Sequence, residues 1–464
     1  MNDVVHGATF PERAHAGVAN PTLRGALGRM QRDTRASRVR IAAELPEFEA
    51  LRDAATAIRS NALDNLEQNL ATFEANVTAL GGKVHWCATA AEAREAILAI
   101  LRQRGARRLA KGKSMVSEEI ALNPYLAANG IEVIETDLGE YILQLRDEPP
   151  SHIVMPAIHL TKGEVGETFR AAHTALDPTR QLDEPREMLD EARTLLRQRF
   201  LGAEAGLTGA NFLIAETGSA LIVTNEGNGD LSQSLPPVHI VIAGIEKVVP
   251  TLADAMTLVR VLARSATGQD ITAYTTLATG PKRAADPDGP EEFHVVLLDN
   301  GRTRLLDSEF RPVLRCIRCG ACQSVCPVYG AVGGHAYGAV YGGPIGAVLM
   351  PALSDAADMR HLPEASSFCG ACEAVCPVRI PLPDLMRRWR ERNFAAASVA
   401  KPAKLALMAW GFVARRPALY RVATRIAARL LRARIAPFAV NWTKVRDLPV
   451  PEGETFSAAW RRRA

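Results

Sequence analysis

A chain of 464 residues with 47% apolar and 23% charged residues has the length of two to four domains and the composition of a folded protein, which excludes a disordered or fibrous chain. The N-terminus carries no apolar run behind a basic one, and the longest uncharged apolar run near the C-terminus, "LALMAWGFVA" at 405–414, is too short to cross a bilayer; a cytoplasmic protein with reduced cysteines is expected. The net charge of +4 is unevenly spread: from Met386 to Ala464 there are 18 Lys and Arg against 4 Asp and Glu, so the preceding part is mildly acidic.

In chain order, residues 1–60 read as a helical arm, rich in helix formers with apolar residues at three- and four-residue spacing. Residues 61–305 alternate short β-branched runs ("IEVIET" 131–136, "HIVMPA" 152–157, "NFLIAE" 211–216, "ALIVTN" 220–225, "VHIVIAG" 238–244, "FHVVLLD" 293–299) with helical stretches such as "PREMLDEARTLLRQRF" and "LADAMTLVRVLARSA". This pattern predicts an α/β domain with a largely parallel, buried sheet, in which 211–216 and 220–225, joined by "TGS", form a local hairpin. The lone Cys87 reads as a buried, inert thiol. In "KGKSMVSEE", Lys111, Lys113 and Ser114 precede a helix that Ser117 would cap, with Glu118 and Glu119 in its first turn. Such a terminus can hold a carboxylate or phosphate, although a surface loop and cap is the plainer expectation. No dinucleotide fingerprint and no phosphate loop is visible.

Seven of the eight cysteines lie in residues 306–385, which read as a ferredoxin-type domain. Cys316, Cys319, Cys322 and Cys326 have the spacing C-x2-C-x2-C-x3-C-P, in which three close thiolates grip one [4Fe–4S] cube and the fourth reaches across to another. A shorter run supplies Cys369, Cys372 and Cys376, with Ser366 where its first cysteine would stand. Zinc is disfavoured because four ligands have no use for a third C-x2 step, and His335 and His361 sit at no ligand spacing. The cross-over rule gives cluster 1 to Cys316, Cys319, Cys322 and Cys376, and cluster 2 to Cys326, Cys369 and Cys372. At the remaining corner three outcomes stay open: a [3Fe–4S] cluster, a [4Fe–4S] cluster with an oxygen or solvent ligand, or completion by an external group. Ser366 acting only as a cap of a helix or turn is the plainer reading. The Gly-rich "YGAVGGHAYGAVYGGPIGAV" between the runs is expected to wrap closely around the clusters.

The cysteine runs, with "GGHAYG" and "GPIGAVLMP" between them, resemble the lactate utilisation protein B family, as do "KGKSMVSEEIALNPYLAANGIEVIETDLGEYILQL", "PSHIVMPAIH" and "TGANFLIAETGSALIVTNEGNGDLSQSLPPVHIVIAGIEKVVP" upstream. The resemblance implies an α/β LUD domain of the sugar-isomerase and CoA-transferase type, followed by an α-helical ferredoxin domain and, over 386–464, a basic helical region. It further implies two clusters, 2 × [4Fe–4S] despite seven cysteines, with cluster 2 as [3Fe–4S] the alternative. The family role is an iron–sulfur electron-transfer subunit, needed for growth on lactate, that acts with two sister subunits, a cysteine-rich redox protein and a small LUD protein, to oxidise L-lactate to pyruvate. In CoA-transferase relatives a glutamate on a turn like "AETGS" does covalent chemistry, which makes Glu216 a weak catalytic candidate.

That leaves rival readings: a LUD domain that itself binds and converts a small acid with cluster 2 coordinating it, a glycolate-type 2-hydroxy-acid oxidase subunit, or a regulatory or assembly subunit. The electron acceptor is unknown. The basic helices, expected to run to about residue 437, suit docking to a partner subunit, with contact to the inner face of the membrane second. Nucleic acid is not expected, because Trp389, Trp410, Tyr420 and Phe438 are not interleaved as a base-stacking surface would be.

Overall fold

Six short β-rich segments pair side by side, all parallel, in the order β1-β10-β7-β4-β2-β3: β1 (Lys83–Cys87), β2 (Arg108–Lys111), β3 (Glu132–Glu135), β4 (Ala205–Gly209), β7 (Val238–Gly244) and β10 (Glu292–Leu298). The computed structural model describes residues 9–353, 359–396, 401–433, 450–452 and 454–463; the start of the arm, Phe438 and the expected helix end near 437 lie outside the described residues. All seven residues of β7 are buried because helices cover both faces, which is why "VHIVIAG" reads as a continuous apolar run. Ile240 and Ile242 face Ile97, Leu101 and Leu109 on one side, while Val241 and Ala243 face Phe73 and Val77 on the other.

The hairpin is present but belongs elsewhere. β5 (Phe212–Ile214) and β6 (Ser219–Thr224) are antiparallel and sit in a separate four-stranded sheet, ordered β8-β5-β6-β9, with β8 (Val248–Val249) and β9 (Tyr274–Ala278). "HIVMPA" is not a strand. Its backbone is taken up locally: Ser151 N–H donates to Pro156 O, and Val154 and Met155 N–H both donate to His152 Nδ1. The segment is then pinned from outside, because the Tyr329 hydroxyl donates to Ser151 O at 2.6 Å.

Contacts divide the chain into two units, Met1–Arg390 and Glu391–Ala464. In the first, the N-terminal helices Phe10–Ala19, Pro21–Ala43 and Phe48–Asp64 share one apolar core with the cysteine region, Leu27, Met30 and Phe48 packing with Cys319, Tyr329 and Ile345. The helix Leu66–Ala79 instead covers the parallel sheet through Phe73 and Val77. The Gly-rich segment packs closely against the backbone around Ser151: a Cβ on Gly334 would lie 1.7 Å from Ser151 O, so only glycine fits there. In the second unit the described residues form helices Lys401–Ala414, Pro417–Arg432 and Phe456–Arg463.

Candidate iron–sulfur site

The first cysteine run is a loop before a short helix, Ala321–Val325, and the second repeats it before Ala371–Ala374. The residues before Cys319 and Cys369 take the left-handed conformation (Arg318 φ 60°, Phe368 φ 55°), and the glycines after those cysteines do too (Gly320 φ 71°, Gly370 φ 79°). Two left-handed residues curl the backbone around a central body. The non-glycine ones are held there by side-chain contacts: the Arg318 guanidinium lies 4.3 Å from the Tyr341 ring, and that of Arg390 lies 4.3 Å from the Phe368 ring.

The runs cross. Cys316, Cys319, Cys322 and Cys376 line one cavity, whose other walls include Ile153, Ile345, Val378 and Leu382. Cys326, Cys369 and Cys372 line a second, together with Ser366 and Phe368. All seven thiols are free. In each group the cysteines line a cavity, the arrangement a multi-iron body needs.

The donor set fits such a body. Burial pushes Cys319 and Cys372 up to about 12 and raises Cys322, Cys326 and Cys376, so these groups become thiolates only beside strong positive charge, which iron supplies. Backbone N–H groups donate to the sulfurs: Arg318 to Cys316 at 3.4 Å, Tyr329 to Cys326 at 3.5 Å and Ile380 to Cys376 at 3.3 Å. Arginines from the N-terminal helices brace the loops. Arg52 donates to the carbonyls of Ala374 and Cys376, both at 2.8 Å; Arg38 donates to Val375 O; and fully buried Arg59 donates to Leu314 O and Arg315 O. Cys369 is exposed whereas Cys319, Cys326, Cys372 and Cys376 are buried, so the second cavity has a sulfur at the surface.

The cysteine region sits on the C-terminal edge of the parallel sheet, where open α/β sheets bind ligands. Here that edge is filled by a buried ionic network. Arg302, just beyond β10, pairs with Glu119 at 2.8 Å and with Glu246, just beyond β7, at 2.6 Å. The Tyr341 hydroxyl donates to Glu119 at 2.8 Å, Arg318 lies 3.5 Å from Glu246, and Lys247 Nζ donates to Cys316 O at 3.4 Å. Burial alone would raise Glu246, but Arg302, Lys247 and Arg318 hold it down at about 2. Glu119, Glu246, Lys247, Arg318 and Tyr341 lie in stretches the sequence singles out, but those stretches are far apart in the chain and no local pattern signals that they pair with one another or with Arg302.

The remaining sequence candidates fall elsewhere. Ser114, not Ser117, caps the helix Met115–Glu119, accepting from Ser117 N–H at 3.2 Å. Lys111 is not in a surface loop: it is fully buried, 2.8 Å from Glu135 and 3.1 Å from Glu118. Burial would lower its pKa, but Glu135, Glu118 and Glu140 together raise it. Lys113 donates to Val154 O, so both lysines are engaged internally. Glu216 is exposed; its carboxylate accepts from Leu252 N–H at 2.9 Å, at the start of the helix Leu252–Ala266, and it lines neither cysteine cavity. Cys87 is a buried free thiol raised to about 11 by burial.

Family models match along this architecture: "LUD domain" at residues 70–298, "4Fe-4S dicluster domain" at 312–380 and "Lactate utilisation protein B, C-terminal" at 393–464. The "Lactate utilization protein B" of Bacillus velezensis is 44% identical over 463 residues, covering 97% of this chain and 96% of the relative. That of Bacillus subtilis (strain 168) is 44% identical over 462 residues, covering 96% and 95%. Among solved structures, a DUF162 family protein from Deinococcus radiodurans is similar at 17% identity and a TM-score of 0.26, covering 50% of this chain and 98% of that one.

Proposed function

The chain belongs to the lactate utilisation protein B family, and from that premise we propose that it is the iron–sulfur electron-transfer subunit of a complex that oxidises L-lactate to pyruvate, working with a cysteine-rich redox protein and a small LUD protein. The observation that carries this reading is the pair of cavities formed by crossed cysteine runs, the second with Cys369 at the surface. Cys316, Cys319, Cys322 and Cys376 would hold one cluster and Cys326, Cys369 and Cys372 the other. Bound iron–sulfur clusters supply one-electron redox chemistry with little rearrangement. The chain's own residues line the first cavity with apolar side chains, direct N–H groups at the sulfurs and surround it with Arg38, Arg52, Arg59 and Arg318, whose positive charge favours a more negative, reduced state.

A relay is favoured over a catalytic LUD domain because the sheet edge that would bind a small acid is packed with the Glu119–Arg302–Glu246 network. Glu216 is occupied as a helix-terminal acceptor. Among the described residues no helix is long and apolar enough to cross a membrane.

Two measurements test the reading. Anaerobically purified protein is expected to carry about eight irons with matching sulfide, and its reduced form to show interacting cluster signals by low-temperature EPR. In the assembled complex, L-lactate is expected to reduce those clusters. Clusters that stay oxidised under lactate turnover would leave a structural or regulatory role, and reduction by glycolate but not by lactate would reassign the substrate.

A further inference from the structure

We propose that Ser366 is a ligand of the second cluster, its side-chain oxygen standing where the first repeat places a cysteine sulfur. The proposal rests on the two-cluster reading above. Aligned residue for residue, "CIRCGAC" at 316–322 and "SSFCGAC" at 366–372 share their left-handed third and fifth residues and the start of a short helix at the sixth. They also share a specific hydrogen bond. The Arg318 N–H donates to Cys316 Sγ at 3.4 Å, and the Phe368 N–H donates to Ser366 Oγ at 3.1 Å. Ser366 therefore occupies the cysteine position in sequence and in local geometry alike. It lines the cavity that holds Cys326, Cys369 and Cys372, three sulfurs for a body that takes four ligands.

Arg390 holds this segment in place from the opposite side. Its guanidinium covers the Phe368 ring and donates to the carbonyls of Pro363, Glu364 and Ser366. The brace fixes Phe368 at its positive φ and with it the turn that sets the Ser366 side chain in the cysteine position. Ligation forms one iron–oxygen bond and breaks the Ser366 O–H bond, releasing the proton to water beside exposed Cys369; no electron moves. An alkoxide is a harder donor than a thiolate and favours the oxidised cluster.

Iron content, EPR and redox titration of the full-length protein decide it, with Ser366→Ala and Ser366→Cys beside the parent chain. The parent is expected to hold about eight irons without an oxidised-state [3Fe–4S] signal, Ser366→Ala to drop to about seven with that signal, and Ser366→Cys to keep eight. The second cluster's potential in Ser366→Cys is expected to move upward while the first cluster's stays. A parent chain that already shows the [3Fe–4S] signal, or a Ser366→Ala variant with unchanged iron and spectrum, overturns the assignment while leaving two clusters in place. A parent chain with no iron overturns the two-cluster reading itself.

In the C-terminal unit, a separate observation concerns the helices Lys401–Ala414 and Pro417–Arg432, and from it we infer that they bind the surface of an anionic bilayer. On the first helix Leu405, Met408 and Phe412 share one face and Leu407 and Trp410 the opposite one, and all five are exposed, Leu405 at 69%. A helix apolar on two opposite faces is covered either inside a larger protein or by an apolar medium, and the basic residues at both of its ends and along the next helix select an anionic bilayer. The ten-residue apolar run is about 15 Å long, half the bilayer core, with Lys401 and Lys404 before it and Arg415 and Arg416 after it to reach headgroups. The second helix exposes Leu419, Val422, Ile426 and Leu430 as one stripe beside a stripe of Arg421, Arg425 and Arg429. In vesicle flotation at low salt, the full-length protein is expected to rise with vesicles of phosphatidylcholine mixed with phosphatidylglycerol but not with phosphatidylcholine alone. Trp410→Glu with Phe412→Glu is expected to abolish that binding without changing iron content. Flotation with both vesicle types overturns the inference, and flotation with neither reassigns the two helices to protein docking.

Discussion

Replacing Arg302 with leucine is expected to cost about 3–5 kcal/mol of stability, because it strands two buried carboxylates at once. Arg302 is 1% exposed and pairs with Glu119 and Glu246, themselves nearly inaccessible. Burial alone would lower the Arg302 pKa, but the two carboxylates raise it well above its ordinary value, so at every accessible pH the penalty falls on the carboxylates left behind. Both are depressed in the parent: burial pushes each up, and the cations, Arg302 first, outweigh it. A depressed carboxylate stabilises the fold above the unfolded carboxylate pKa of about 4.3, and that contribution is lost as pH falls toward the folded value, about 2 for Glu246. In Arg302→Leu the carboxylates lose their main partner and take up protons at higher pH. The gap between parent and variant in urea or thermal unfolding should therefore be widest near neutrality and narrow on acidification. A loss below about 1 kcal/mol, or a gap independent of pH, would mean the network contributes far less than its geometry implies.

Cys376→Ala is expected to remove the first cluster and leave the second, lowering iron by about half. Cys376 is the one cysteine of the second run that lines the first cavity, and it lies 7% exposed in the shared core. The variant should therefore also unfold more easily. Cys369→Ala should do the reverse, losing the second cluster with little effect on stability, since Cys369 is exposed. EPR of the two reduced variants is expected to give two different isolated-cluster spectra, each without the spin interaction of the parent. If both variants retained the same spectrum, each run would be holding its own cube and the crossed assignment would fail.

Spacing and periodicity by themselves determined much of this protein. Four cysteines at fixed intervals before a proline point to an iron–sulfur site, because a multi-iron body needs several sulfurs from one tight loop. Continuous apolar runs such as "VHIVIAG" and "FHVVLLD" mark buried parallel strands, because helices cover both faces. The sheet to which 211–216 and 220–225 belong was not legible, since a hairpin's pattern is local and does not record what lies beside it. "HIVMPA" has a strand's composition, but His152 and Pro156 consume its backbone bonding and Tyr329, far along the chain, pins it. Lys111 and Glu119 sit in a stretch that reads as a surface loop, and only their partners Glu135 and Arg302 account for their burial. The seating of the cysteine loops on the sheet edge through Glu246, Lys247, Arg302 and Tyr341 was likewise left to the tertiary structure. Local pattern encodes backbone geometry and ligand chemistry, whereas pairing of buried charges depends on which distant segments meet, and no periodicity records that.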